Sequence, residues 1–318
     1  MRAYIIRRTL LVIPTLFILS TIVFISVRFV PGDAIDMMIL NSDYLALDLD
    51  REDLEEQLGL NMPIHLQYGK WMGGMLLHGT FGESLMGNWT VEERILRRLP
   101  ITLQLGFMAI IIALIISLPV GIYSAIRQDT VSDYTGRTFA IIGLAAPNFW
   151  LATLVMIFPP IWWGWSPPLE MIRFTDDPLQ SMYGVLIPSL ILGTGMAAGT
   201  MRLTRTMMLE VLRQDYIRTA RSKGLAERIV IIRHATKNAL IPVITGIGLQ
   251  LPLLVGGSVI IENIFNLPGL GQLALEALID RDYPVVSGVN MFFGTAVILI
   301  NLIIDLAYPY FDPRVQYR

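Results

Sequence analysis

The stretch LLVIPTLFILSTIVFISV, residues 10–27, carries no charge. A bilayer core takes about 20 apolar residues to cross as a helix. Runs of this kind recur near 9–30, 101–125, 138–162, 183–203, 238–261 and 285–308. Hydrocarbon offers no water to backbone N–H and C=O groups, so such runs must fold as helices. One run alone would fit a buried core helix. Six in one chain do not, because a soluble protein also needs a charged surface. Only 16% of the 318 residues are charged, against about 25% in soluble domains, and the mean hydropathy is +0.58. The expected fold class is an all-α polytopic membrane protein with six transmembrane helices. The chain has no cysteine, so disulfides, thiolate metal sites and cysteine nucleophiles are excluded. The first run follows Arg7 and Arg8 like a signal peptide, but it is too long and lacks a small-residue cleavage site. It is read as a retained span.

Sidedness follows from Lys and Arg. Six spans put both termini on one side. That side holds Arg2, Arg7, Arg8, Arg127, Arg137, the basic residues of 202–237, Arg314 and Arg318. The other side holds fewer: Arg51, Lys70, Arg94, Arg97, Arg98, Arg173 and Arg281. Both termini are therefore expected to be cytoplasmic. The 31–100 segment is expected outside and is rich in acid between Asp43 and Glu56. Asp50 is placed to cap a short helix ending at Gly59, and Pro63 to start another. In the latter, Ile64, Tyr68, Trp71, Met72, Met75 and Leu76 recur at helical spacing. That stripe suits either the bilayer interface or packing against the ends of spans. Thr90 and Glu93 form a capping-box pattern, and Pro100 is expected to end the helix they open. The domains read as 1–100, a first span plus the external segment; 101–309, a core of five spans with a basic loop at 204–237; and 310–318, a short tail.

No catalytic constellation is present. His65, His78 and His234 fit no ligand spacing, and there is no phosphate-loop or H-E-x-x-H pattern. Any ATP use would fall to another chain, and no cofactor or metal is expected. The middles of the spans carry no acid, which counts against a proton- or sodium-coupled carrier. They do carry small residues, including Gly195 and Gly199 at GxxxG spacing, which let helices approach closely. Asn148 and Gln250 each suit helix packing or a solute path. Glu262 and Asn263 lie at the outer end of the fifth span and join them as candidates for the pathway.

The remaining question is DYIRTARSKGLAERIVIIRHATKNALIP, residues 215–242. Asp215 opens a run without Pro or Gly, and cations gather toward its end, as a helix dipole favours. Gly224 is placed as a left-handed residue past the helix end, with Leu225 folding back in a Schellman motif. A second helix then leads into the fifth span. On charge alone the segment also suits a loop that meets anionic headgroups.

The spelling DYIRTARSKGL followed by NALIP closely resembles the cytoplasmic loop of ABC importer permeases of the dipeptide/oligopeptide family. The family's general motif opens Glu-Ala-Ala and reaches a Gly four residues after its last Ala. Here Arg218, Thr219, Ala220 and Gly224 hold those positions; only Ala220 and Gly224 match the general form, and the Arg-Thr-Ala spelling is typical of the peptide branch. The resemblance runs from RRTLLVIPTLF and VPGD through LGL-x-x-P, GTFGESL and IENIFNLPGLG to Asp305, Tyr308 and the DPR at 312–314. It departs at Ala34, where proline often follows PGD, and at Gly79–Thr80, where Gly-Asp is common. The resemblance implies a six-span type I ABC importer permease in the inner membrane of a prokaryote. It implies pairing with a second permease, usually a sibling, on two ATPase subunits, with solute delivered by an external binding protein. Its cargo would be peptides, or the nickel chelates, glutathione or oligosaccharides that the family also carries. A secondary carrier or a membrane scaffold is the contrasting reading. The helix around 215–223 would couple to the ATPase. The residues that the resemblance singles out are Asp215, Tyr216, Arg218, Thr219, Ala220, Arg221, Lys223, Gly224 and Leu225.

Overall fold

The structure is a computed structural model, and it describes residues 2–29, 61–168 and 171–311. The expected helix capped by Asp50 lies outside these residues. The described chain is helical: α1 (Arg2–Arg28), α2 (Ile64–Gly73), α3 (Val91–Ile126), α4 (Val131–Ala145), α5 (Asn148–Trp163), α6 (Pro178–Leu212), α7 (Asp215–Ser222), α8 (Glu227–Ile229), α9 (Lys237–Ile264), α10 (Leu270–Ile279) and α11 (Tyr283–Phe311). Wide π turns follow α2 at Gly74–His78 and α8 at Val230–Thr236. The chain divides into two compact units, residues 1–102 with 268–299, and 103–267 with 300–318.

Four helices, within α1, α3, α6 and α11, are long and apolar enough to cross a membrane, and two bent pairs bring the spans to as many as six. The third span expected near 138–162 is a bent pair of helices. It is α4 and α5, meeting at 88°. Pro147 disfavours helical backbone at the residue before it, and Ala146 is extended at φ −84, ψ 116. At 1.5 Å per residue neither half reaches across about 30 Å by itself. The fifth span is bent by 51° beyond Pro252.

Pro100 does not end its helix, which runs unbroken through α3. Buried side chains explain why. Val91 and Ile95 precede the proline, while Thr102, Leu105 and Ala109 follow it on one continuous stripe. Packing on both sides holds the register through a missing hydrogen bond that costs about 3 kcal/mol. Thr90 caps this helix as the capping-box pattern implies, its Oγ1 accepting from Glu93 N at 3.3 Å.

In the first unit, Val27 of α1, Val91 and Ile95 of α3, Leu270 and Leu273 of α10 and Val289 of α11 share one core. α2 packs on the end of α1. Tyr68 Oη lies 2.8 Å from Ser20 Oγ, and the Tyr68 ring meets Phe24 edge-on at 5.1 Å. Packing against a span thus accounts for the Tyr68 and Trp71 face, while Ile64, Leu66 and Leu76 are exposed. A fully buried carboxylate, Asp282, ties down the 79–90 loop. It accepts from Leu85 N at 3.1 Å, Arg94 Nη1 at 3.0 Å and Ser84 Oγ.

In the second unit α6 is the interior helix. Of its apolar window 61% is buried. Glycines set how close its neighbours come: a Cβ at Gly193 would meet the Ala109 carbonyl of α3 at 2.7 Å, and one at Gly143 would meet Ala198 at 3.2 Å.

Candidate functional site

The basic segment forms the helix–glycine–helix element that its sequence implies. α7 spans Asp215–Ser222 with Gln214 before it. Gly224 takes φ +78, a left-handed conformation that costs side-chain-bearing residues about 1–2 kcal/mol. Leu225 N donates to Ala220 O at 3.4 Å and Gly224 N to Arg221 O at 2.9 Å. These two bonds are the Schellman pair, and they satisfy carbonyls that the helix end would otherwise leave open. The following helix is corrected in form. It opens as a short α8, widens into the π turn and continues as α9, running beyond Pro242.

Two apolar residues seat α7 on its own chain. Ile217 and Ala220, one turn apart, are buried with Ala125, Met208, Val230 and Ala239. The small side chain of Ala220 therefore lets α7 approach this chain's core. Arg221 reaches Glu227 with two bonds, Nε to Oε2 at 3.1 Å and Nη2 to Oε1 at 2.7 Å. This fork ties α7 to α8, and its hydrogen bonds raise the guanidinium pKa above its already high ordinary value. Asn238 Nδ2 donates to Tyr216 Oη at 2.8 Å, which fastens α7 to the start of α9. Thr219 Oγ1 turns back to Asp215 O at 2.9 Å. Arg218 and Asp215 lie 3.4 Å apart with 78% and 93% of their side chains exposed, a pair too solvated to hold either in place. Arg218 of α7 and Lys223, just past its end, are thus the cations that remain available to another surface.

The candidate pathway residues do not form one cluster. Asn148 and Gln250 both meet α6. A Cβ at Gly195 would lie 2.7 Å from Asn148 Oδ1, so the amide rests on that glycine. Gln250 Nε2 donates to Thr200 Oγ1 at 3.1 Å. Glu262 and Asn263 lie farther along α9, and 12 residues of helix measure about 18 Å. Glu262 is fully buried, and Asn263 Nδ2 donates to Val259 O at 2.7 Å. The two amides nearest α6 are held by helix packing. A largely apolar cavity of about 630 Å³ lies between α3, α4 and α6, lined by Val120, Gly136, Phe139, Ala140, Thr194 and Ala198, and neither amide lines it.

Sequence reading missed a buried ion pair. Asp133, fully buried in the first turn of α4, receives Arg205 of α6 as a fork, Nε to Oδ1 at 2.8 Å and Nη2 to Oδ2 at 2.7 Å. Ser124 Oγ and Asp129 N also donate to it, the latter at 3.1 Å. Arg205 falls in the basic 204–237 stretch of the sequence, but α6 extends to Leu212 and carries it inside a helix. The available signal was one acid at the head of a short apolar helix.

This arrangement matches known proteins along its whole length. A family model described as binding-protein-dependent transport system inner membrane component matches residues 117–317, and its N-terminal companion matches residues 1–106. The oligopeptide transport system permease protein AppB of Bacillus subtilis is 42% identical over 321 residues, covering 100% of both chains. The dipeptide transport system permease protein DppB of Alkalihalophilus pseudofirmus is 39% identical over 337 residues, again covering 100% of both. A crystal structure described as an amino acid ABC transporter with histidines aligns at a TM-score of 0.52 and 13% identity. The alignment covers 69% of this chain and 94% of that one, and at that identity the likeness speaks for the fold alone. The family matches, the full-length relatives and the shared helical fold agree, and the chain belongs to the family of binding-protein-dependent transport system inner membrane components.

Proposed function

We propose that this chain is the permease subunit of an ATP-driven importer of di- and oligopeptides. The observation that carries the reading is α7. It is a short helix with a stapled end, seated on its own core by Ile217 and Ala220, and its polar face is exposed. The full-length likeness to oligopeptide and dipeptide permeases supports the cargo. In this reading both termini and α7 lie on the cytoplasmic side. Residues 101–309 form the permease core, 1–100 carry the first span and an external segment, and 310–318 form a cytoplasmic tail.

Two ATPase subunits in other chains hydrolyse ATP, and each permease presents α7 to one of them. Arg218 and Lys223 offer charge-assisted contacts to an acidic groove. Asp215, Tyr216, Thr219 and Leu225 shape the same surface. Ala220, Arg221 and Gly224 fix its angle from within. A second permease, a sibling, completes the path, and an external binding protein selects and delivers the solute. Asn148 and Gln250 line the path near α6, and Glu262 and Asn263 belong to its outer rim. The absence of charge in the middles of the spans suits a permissive route for varied peptides.

The test is co-purification with the ATPase subunits. Arg218→Glu with Lys223→Glu is expected to insert in the membrane normally and to lose the ATPase subunits or the coupling of hydrolysis to import. Retention of the subunits with normal transport would refute the docking role. A binding protein that takes up nickel chelates, glutathione or oligosaccharides in place of peptides would change the cargo and leave the mechanism.

A further inference from the structure

We infer that the Asp133–Arg205 pair is a positioning device that carries motion of α7 into α4 and on to Asn148. The inference rests on the reading of α7 as the coupling helix. The path lies within the second unit. Ile217 and Ala220 of α7 share one buried cluster with Ala125 of α3 and Met208 of α6. The next residue back from Ala125 is Ser124, which donates to Asp133. Three residues back from Met208, on the same helix face, is Arg205, which grips Asp133 with its fork. The seat of α7 and the buried pair are thus within one turn of each other on both supporting helices.

From Asp133 the path runs along α4. Its small residues hold it against α6: a Cβ at Gly136 would meet Met201 Cε at 3.1 Å, and one at Gly143 would meet Ala198 at 3.2 Å. α4 ends at the bend before Pro147, and the next helix begins with Asn148 lying on Gly195. A buried carboxylate with four donors, two of them from one guanidinium, has a single low-energy arrangement. It makes the head of α4 follow α3 and α6 as they yield at the α7 seat. Ordinary apolar packing at this point would permit sliding. A buried pair of this kind is weak evidence for stability alone.

The experiment compares three variants of the intact importer in proteoliposomes: Arg205→Lys, Asp133→Asn, and Asp133→Asn with Arg205→Met. The readouts are melting temperature, retention of ATPase subunits, and ATP consumed per solute imported. Arg205→Lys keeps the charge and loses the fork. The double variant removes both charges, so no unpaired ion stays buried. The double variant is expected to melt higher than Asp133→Asn alone and to keep its ATPase subunits. In both it and Arg205→Lys, ATP consumed per solute is expected to rise at least about fivefold, the low end of ordinary coupling between sites. A purely structural pair predicts otherwise, with the double variant regaining stability and coupling together. A double variant with the wild-type ratio, or one that sheds its ATPase subunits, overturns the inference. If Arg218→Glu with Lys223→Glu releases the ATPase while the double variant couples normally, only this inference falls and the reading of α7 stands.

Discussion

Gly224 ends α7 through its backbone alone. A Cβ built there meets nothing within 4 Å, so the site has room for any side chain. The demand is conformational, φ +78. Gly224→Val is therefore expected to weaken the α7 terminus by roughly 1–2 kcal/mol, while Gly224→Asn, which tolerates this region better, is expected to lose less. Hydrogen exchange at the amides of Gly224 and Leu225 checks this order. Equal protection in all three proteins would mean that the Schellman bonds do not hold the end. Gly224 was legible in the sequence because its preference is local: a run of helix formers, cations near the end, then glycine. Asp133 was not legible, because what makes it special is Arg205, 72 residues away. No local pattern reveals that pairing.

At the scale of elements, two prolines show how context decides. Pro100 is crossed by a stripe of buried residues that continues on both sides, and α3 stays whole. Around Pro147 the buried positions of α4 (Asp133, Gly136 and Ala140) have no matching continuation beyond Ala152 of α5, and the span breaks. The spans themselves were legible from hydropathy, because bilayer thickness sets their length. Their bends were not, since proline permits both outcomes. α7 was legible as a helix, but its buried face was not assigned, since eight residues offer little periodicity. That face now supports a sharp expectation. Ile217→Ala removes a fully buried side chain and is expected to cost about 2–5 kcal/mol, with Ile217→Val costing about 0.5–1.5 kcal/mol. The loss belongs to the docking of α7, so exchange should quicken across 215–225 and hardly change in the middle of α6. Uniform quickening along both helices would show that α7 and α6 unfold as one unit and that the seat is not a separate joint.

At the scale of the whole molecule, the cation distribution is the ground for the orientation proposed for the importer. The chain has no cysteine, so a single introduced thiol reports without background. Cysteine at His65, an exposed position of α2, is expected to react with an impermeant thiol reagent in whole cells. Cysteine at Ser222, exposed at the end of α7, is expected to react only after the membrane is opened. The reverse pattern would invert the topology and remove α7 from the reach of a cytoplasmic ATPase. Function at this scale was legible only through the order of many short motifs along the whole chain. The solute was not legible, because in this reading another protein selects it.

The central claim is that α7 is the part of this chain that an ATPase subunit grips. The most direct measurement places a photo-reactive side chain at Arg218 in the assembled importer, with a second at Leu179, an exposed residue at the far end of α6. The adduct at Arg218 is expected to be an ATPase subunit, with a yield that changes on ATP binding, and no ATPase adduct is expected at Leu179. An importer that transports normally while Arg218 yields only lipid adducts, or none, would contradict the claim.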